Sequence, residues 1–162
     1  METKTDMTDV FAAYGRAAYY AQLLEYDLVS LWMLDSVRQG VSLTREDLHQ
    51  FQGEWSKKTL GKLLRPLKQS ALIPEDLKQF LECIRTTRNI LAHDFFLTAA
   101  DDLRSLVGRE QAKGQLQEIG HILKKGQKFF LNVLTTYAKD FGIDYDAIRR
   151  ELREQIERDG DP

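Results

Sequence analysis

The sequence predicts an all-α fold, a bundle of four to six helices. Apolar residues recur at intervals of three and four through three long segments, at about 8–38, 74–97 and 110–140, and this spacing is typical of helices that bury one face. No segment shows the strict apolar–polar alternation of a half-buried strand. A chain of 162 residues is long enough for one domain with its own core. We therefore expect a single helical domain over residues 1–162, with its core in about 8–140.

The charge balance and the single cysteine narrow the class of protein. Lys and Arg number 23 and Asp and Glu 25, for a net charge of −2, which excludes a strongly basic nucleic-acid binder overall but allows a local basic groove. Cys83 is the only cysteine, so the chain cannot form an internal disulfide or a cysteine zinc cluster. The polar start lacks the apolar core of a signal peptide, and no run is long enough to span a bilayer. We therefore expect a cytoplasmic protein without membrane contact.

The first long helix carries one acid in its apolar stripe. Thr8 is a suitable N-cap for this helix, and Gly40 favours its end. With about 100° of rotation per residue, Glu25 falls within roughly 40° of a line through Tyr14 and Trp32. Small residues near the helix start would permit close approach of another helix or subunit, but the simpler interpretation of the alanines is helix propensity.

Two shorter helices are predicted between the first and second long segments. Thr44 can cap the first of them, which ends near Gln52. Ser56 can cap the second, and Pro66 is expected to end or kink it after Arg65.

The central long helix carries an arginine among its apolar residues. Pro74 suits its first turn, and Arg88 lies within roughly 40° of the apolar stripe. That stripe consists of Leu77, Leu81, Ile84, Leu91 and Phe95. A charge in such a stripe is costly unless it is paired, and Glu25 occupies the equivalent position on the first helix. We therefore predict that the charged groups of Glu25 and Arg88 lie within about 6 Å of each other.

The remainder is predicted to form a long helix over about 110–140 and a C-terminal amphipathic helix over about 144–158. Gly108 is expected to break a weak helical pattern that precedes the long helix. Three glycines inside the long helix are expected to bend it or end it early: Gly114, Gly120 and Gly126.

The central helix also contains a short polar motif. Its six residues, Arg88-Asn89-Ile90-Leu91-Ala92-His93, resemble the Arg-x4-His motif of the HEPN superfamily. That family consists of α-helical bundles that are usually dimeric, and many members are metal-independent endoribonucleases of toxin–antitoxin and defence systems. Asn89 matches the polar residue that often follows the Arg, and Glu25 matches an acidic residue common in the first helix. Phe95 departs from one HEPN toxin group, which carries a modifiable Tyr at that position.

The resemblance implies a catalytic role for four residues, with no metal and no cofactor. His93 would act as general base or acid for attack by the 2′-OH of RNA, and Arg88 would stabilise the charge that develops at phosphorus. Asn89 would hold a phosphate oxygen or orient the imidazole, and Glu25 would orient Arg88. Because Arg88 and His93 diverge by about 140° on an ideal helix, we expect a homodimer through helices 8–38 and 74–97 that combines two motifs in one cleft.

Two other interpretations remain open. A non-catalytic HEPN-like dimer would use the same cleft to bind a nucleotide, RNA or a protein partner such as an antitoxin or regulator. A plain helical interaction domain would use the Glu25–Arg88 pair for structure alone. Two basic runs would either contact RNA phosphates or form solvated helix faces. They comprise Lys57, Lys58, Lys62, Arg65 and Lys68, and Lys124, Lys125 and Lys128.

Overall fold

A computed structural model describes residues 6–40, 53, 59–69, 74–142, 144, 147 and 150. Every regular element among these residues is helical, and they contain no strand. The helices are α1 (Met7–Arg38), α2 (Leu60–Gln69), α3 (Glu75–Asn89), a π-turn (Ile90–Asp94), α4 (Phe95–Ala99), a 3-10 turn (Asp102–Arg104) and α5 (Leu106–Lys139). The predicted all-α bundle is confirmed.

The three long segments of the prediction correspond to α1, to the continuous series from α3 to α4, and to α5. The predicted helix over 44–52 lies outside the described residues. So do the start of the second short helix and most of the predicted C-terminal helix.

Helix α1 begins two residues earlier than predicted. Asp6 is its N-cap, and the carboxylate of Asp6 accepts a hydrogen bond of 3.0 Å from the backbone N–H of Asp9. The prediction of Thr8 as the cap is therefore wrong, because an acidic residue upstream satisfies a first-turn donor. Gly40 adopts a φ of 87° just beyond the helix end, as its predicted role requires.

Helices α1 and α5 run parallel and contact each other along their lengths. Asp9 faces Lys113 at 3.8 Å near one end, and the Tyr137 hydroxyl donates to Asp35 at 2.9 Å near the other. Between these points the Gln127 amide donates to the buried Asp27 carboxylate at 2.8 Å. The residue numbers of the contacting positions increase in the same direction along both helices, so the two helices are parallel.

The central helix runs antiparallel to α1 and α5 and completes the core. Phe80 lies against Phe129, with ring centroids 6.0 Å apart, whereas Phe96, further along, lies 4.9 Å from the Tyr14 ring near the start of α1. Helix α2 packs at the other end, where the Trp32 indole N–H donates to its backbone. The largest fully buried side chains are Phe130, Leu24, Leu28, Leu60, Leu63, Leu64, Leu81, Ile84, Leu116, Leu123, Leu134 and Val10.

Glycines in α5 do not end it early, which was one of the two predicted effects. Gly108 lies in the first turn and donates its N–H to the Ser105 hydroxyl at 2.9 Å, so it helps to begin the helix. A Cβ on Gly108 would meet the Asp102 carbonyl oxygen at 1.9 Å. A Cβ on Gly126 would lie 2.7 Å from a Leu24 methyl carbon. Glycine is used at these two positions because neighbouring segments come very close to the helix.

Of the two predicted effects of Pro66, a helix end or a kink, the helix end is not observed. Helix α2 continues through it to Gln69, so the proline does not end the helix after Arg65. Among the described helices, none is long and apolar enough to cross a membrane.

Candidate active site

An ion pair between α1 and α3 is the first feature of the candidate site. The Arg88 Nε donates to Glu25 Oε1 at 2.7 Å. This distance confirms the predicted pairing. The two side chains are 24% and 28% exposed, so the pair is only partly screened by water. A charge-assisted hydrogen bond of this kind orients the guanidinium.

A π-turn lies next to Arg88 in the sequence. The N–H of Phe95 donates to the carbonyl of Ile90, five residues before it, where an α-helix would bond four residues back. Such a turn inserts about one extra residue and is frequent at functional sites. The spacing of the apolar residues does not predict this turn.

Burial after the π-turn shows what the extra residue does to the helix. Leu91, Phe95 and Ala99 are all buried, although in an unbroken α-helix Ala99 would be rotated by about 80° from Leu91. In the π-turn each residue rotates by a smaller angle about the helix axis than in an α-helix, which keeps these three side chains on the core side. For the same reason the rotation from Arg88 to His93 is smaller than the about 140° expected for an ideal helix.

The other two predicted site residues differ in their exposure. His93 lies within the π-turn on the solvent side and is exposed, whereas Asn89, the last residue of α3, is partly buried. The structure thus brings Glu25 and Arg88 into direct contact and presents the His93 imidazole to solvent on the same continuous helix. Exposure leaves this ring accessible to a ligand or a second subunit.

Phe95 is the residue at which the sequence departs from the HEPN toxin group with which it was compared. Its side chain is only 3% exposed, and its ring lies 5.3 Å from the ring of Phe96. In this chain the residue therefore packs in the core.

An uncharged aromatic face of α1 borders the ion pair. Phe11, Tyr19 and Tyr26 are 56%, 57% and 53% exposed. Together with Gly15 and Gln22 they fall within roughly 80° of one another around the helix. We call these five residues the α1 aromatic face.

Glu25 lies at the edge of the α1 aromatic face, roughly 60° from Gln22 around the helix. Phe11 also contacts the central helix, with its ring 6.0 Å from that of Phe96. Leu97, next in the chain, is 79% exposed. The sequence analysis missed this face, although the spacing of eight and seven residues between its aromatic members could have revealed it.

No family model, curated protein or solved structure matches the chain. The candidate site is therefore defined by its own residues: the Glu25–Arg88 pair, Asn89 beside it and the exposed His93. Within the described ranges, no group of three or more His, Cys, Asp or Glu side chains is placed to hold a metal ion.

Proposed function

We propose that this chain is a cytoplasmic, metal-independent endoribonuclease of HEPN type that cleaves RNA where two copies meet. The observation that carries the proposal is the Glu25–Arg88 pair beside a π-turn that contains the exposed His93. A fixed guanidinium and an accessible imidazole on one helix are the two groups that metal-free phosphodiester cleavage needs.

The reaction is an internal transesterification of RNA. A neutral His93 removes the proton of the 2′-OH, and the oxygen attacks the adjacent phosphorus. The bond from phosphorus to the 5′-oxygen breaks, and that oxygen takes a proton from a protonated imidazole. The products are a 2′,3′-cyclic phosphate and a 5′-hydroxyl. Arg88 stabilises the negative charge on the non-bridging oxygens during attack.

Two copies of the chain would supply the two imidazoles that this reaction uses. One His93 acts as the base while the other, protonated, acts as the acid. The α1 aromatic face supports such a pairing, because it is uncharged, exposed and adjacent to Glu25. Aromatic side chains of this kind are enriched in interfaces between proteins.

The deciding experiment is cleavage of single-stranded RNA in the presence of EDTA. We expect the wild-type protein to produce 2′,3′-cyclic phosphate ends, and His93→Ala to be slower by about 10²–10⁴-fold. His121→Ala is the matched control, because His121 is an exposed histidine of α5. Sedimentation should show a dimer, and Tyr19→Glu should give an inactive monomer. Cleavage that survives His93→Ala, or that a monomer performs, would contradict the proposal.

A second candidate function is a non-catalytic dimeric module. The exposed aromatic residues of α1 favour it, because such a surface also suits a protein partner such as an antitoxin or regulator. RNA or nucleotide binding without any cleavage would favour this function over the nuclease. A toxin or defence role follows from the HEPN resemblance.

A further inference from the structure

A pocket of positive charge lies between α2 and α3. Four cationic side chains line it, Lys62, Arg65 and Lys68 from α2 and Arg85 from α3. Glu82, Thr59 and Gly61 also line it among the residues that the structure describes, and the cavity volume is about 520 Å³. This volume lies in the range of sites that hold small organic ligands.

One carboxylate organises part of this pocket. Glu82 forms ion pairs with Lys68 across the helices and with Arg85 one turn along α3. The Arg85 Nε donates to it at 3.0 Å. Hydrogen bonds from Arg85 and then Lys68 lower the pKa of Glu82 to about 2. The carboxylate therefore stays ionised and links Lys68 of α2 to Arg85 of α3.

The pocket nevertheless keeps an excess of positive charge. Among the described residues that line it, Glu82 is the only acid set against four cations. Lys62 and Arg65 are exposed and lie one turn apart. Since the whole chain carries a net charge of −2, this local excess is not a result of overall composition.

The pocket geometry distinguishes it from a solvated helix face. On such a face, cations of a single helix point outward and apart, and their mutual repulsion is relieved by water. Here three cations of α2 and one of α3 surround a single concavity. An anion in this concavity would contact cations from two helices at once, which a single convex helix face does not allow.

We propose that the α2–α3 pocket binds the phosphate groups of a ribonucleotide ligand. Guanidinium and ammonium groups are the usual side-chain partners of phosphate. Lys62, Arg65 and Lys68 follow one another at about 4.5 Å along the helix axis. This row suits successive phosphates of a single strand, and a free nucleotide would occupy only part of it.

The position of Arg85 connects the pocket to the candidate active site. Arg85 and Arg88 are one turn apart on α3, and His93 lies about 12 Å further along the axis than Arg85. A strand held in the pocket would therefore extend toward His93. The extension of the strand toward His93 rests on the proposed nuclease function, whereas phosphate binding in the pocket does not.

Binding is tested with a ligand that cannot be cleaved. The probe is a short single-stranded 2′-O-methyl oligoribonucleotide, which lacks the attacking hydroxyl, and a nucleoside monophosphate forms a second arm. The test variant combines Lys62→Gln and Arg65→Gln. The control combines Lys125→Gln and Lys128→Gln, which removes the same charge from two exposed lysines of α5.

We expect the pocket variant to weaken oligonucleotide binding by about tenfold at low salt. Loss of two phosphate contacts should also reduce the slope of log affinity against log salt by roughly 1.4. The control variant should bind like the wild-type protein. Circular dichroism and thermal unfolding establish that both variants are folded.

Glu82→Gln gives a prediction of opposite sign. Removal of the carboxylate releases Lys68 and Arg85 for the ligand, so affinity for the probe should rise by about two- to fivefold. If Glu82, Lys68 and Arg85 served structure alone, this variant would lower stability without tighter binding.

The outcomes distinguish an RNA strand from a free nucleotide as the ligand, and they test the pocket separately from the nuclease. Tighter binding of the oligonucleotide than of the monophosphate identifies a strand, and equal binding identifies a free nucleotide. Either result supports the pocket if the variant with Lys62→Gln and Arg65→Gln binds the probe more weakly. Equal loss in the pocket and control variants overturns the pocket, as does binding of an acidic peptide but of neither phosphate probe. RNA cleavage by a protein that fails these binding tests would leave the nuclease standing and the pocket refuted.

Discussion

Two carboxylate–guanidinium pairs, Glu25–Arg88 and Glu82–Arg85, have their arginines one turn apart on α3 but differ in how the structure brings them together. Glu82 and Arg85 are three residues apart on one helix, so the helix itself brings them together. Glu25 and Arg88 are 63 residues apart, so only the packing of α1 on α3 brings them together. The Glu82–Arg85 pair can be predicted from a spacing of three residues in one helix. The Glu25–Arg88 pair can be predicted only by comparing the apolar stripes of two helices.

The surroundings of the two pairs differ in charge and polarity. The Glu25–Arg88 pair matches one acid with one cation and borders the α1 aromatic face. Glu82 instead stands among four cations, which leaves positive charge for a ligand. The comparison teaches that a balanced pair can fix one guanidinium in place, whereas an unbalanced cluster can attract an anion. We expect the first to affect the rate of chemistry and the second to affect binding.

The largest expected effect distinguishes Arg88 from Arg85 in RNA cleavage. Arg88→Ala should lower kcat by about 10²–10³-fold, because charge at phosphorus loses its fixed cation. Arg85→Ala should mainly raise KM. Steady-state kinetics on one RNA substrate measures both values. If both variants mainly lowered kcat, or both mainly raised KM, Arg88 and Arg85 would not have separate roles in chemistry and binding.

Loss of Arg88 should also reduce stability. The pair is about one-quarter exposed on each side, so Arg88→Ala should cost about 1–2 kcal/mol, between the values for surface and buried pairs. Arg88→Lys keeps the charge but loses the planar fork, and we expect a smaller loss of stability with cleavage still impaired. Urea unfolding measures this difference.

Two glycine variants compare the packing around Gly126, in the core, with the packing of α2 on α3. A Cβ on Gly126 would lie 2.7 Å from Leu24 Cδ1 and 2.8 Å from Ile84 Cδ1, both in the core. Gly126→Ala should therefore lower the free energy of unfolding by about 1–2 kcal/mol, after the gain in helix propensity is included.

The matched variant in the pocket is Gly61→Ala. Its nearest neighbour would be Arg85 Cδ at 3.5 Å, an ordinary contact, so stability should change by less than about 0.5 kcal/mol or rise slightly. Thermal and urea unfolding compare the two variants. Equal destabilisation would mean that α2 packs as tightly on α3 as α1 and α5 do.

A smaller effect than that of Gly126→Ala is expected for the pH dependence of stability due to Glu82. Its pKa is lowered from 4.5 to about 2 in the folded protein by Arg85 and then Lys68. The resulting stability is fully present above about pH 4.5 and disappears as the pH falls toward 2. The pair is more than one-third exposed, so the contribution is about 0.5–1 kcal/mol.

Glu82→Gln isolates this contribution from that of other acids. The wild-type protein should be the more stable of the two at neutral pH, and the difference should shrink to zero near pH 2. Unfolding of both proteins by urea across this pH range measures it. A difference that stays constant down to pH 2 would show that the carboxylate is not held by its cations.

Sequence reasoning succeeded where the determinants were local and periodic. The spacing of apolar residues predicted the three long helices, and two charges on apolar stripes predicted the Glu25–Arg88 contact. It failed at Gly108, where average propensity suggested a helix end. At Gly108 the close approach of Asp102 and the Ser105 cap favour glycine, and this information is absent from a propensity scale.

The helical fold class and the pairing of Glu25 with Arg88 follow from the sequence, because the burial pattern repeats within each helix and can be read along one dimension. Tertiary structure alone decided the π-turn that reorients His93 and the pocket shared by α2 and α3. The π-turn keeps Leu91, Phe95 and Ala99 on the core side, and the pocket depends on the angle at which two helices meet. Both follow from packing between distant segments, which no local spacing records.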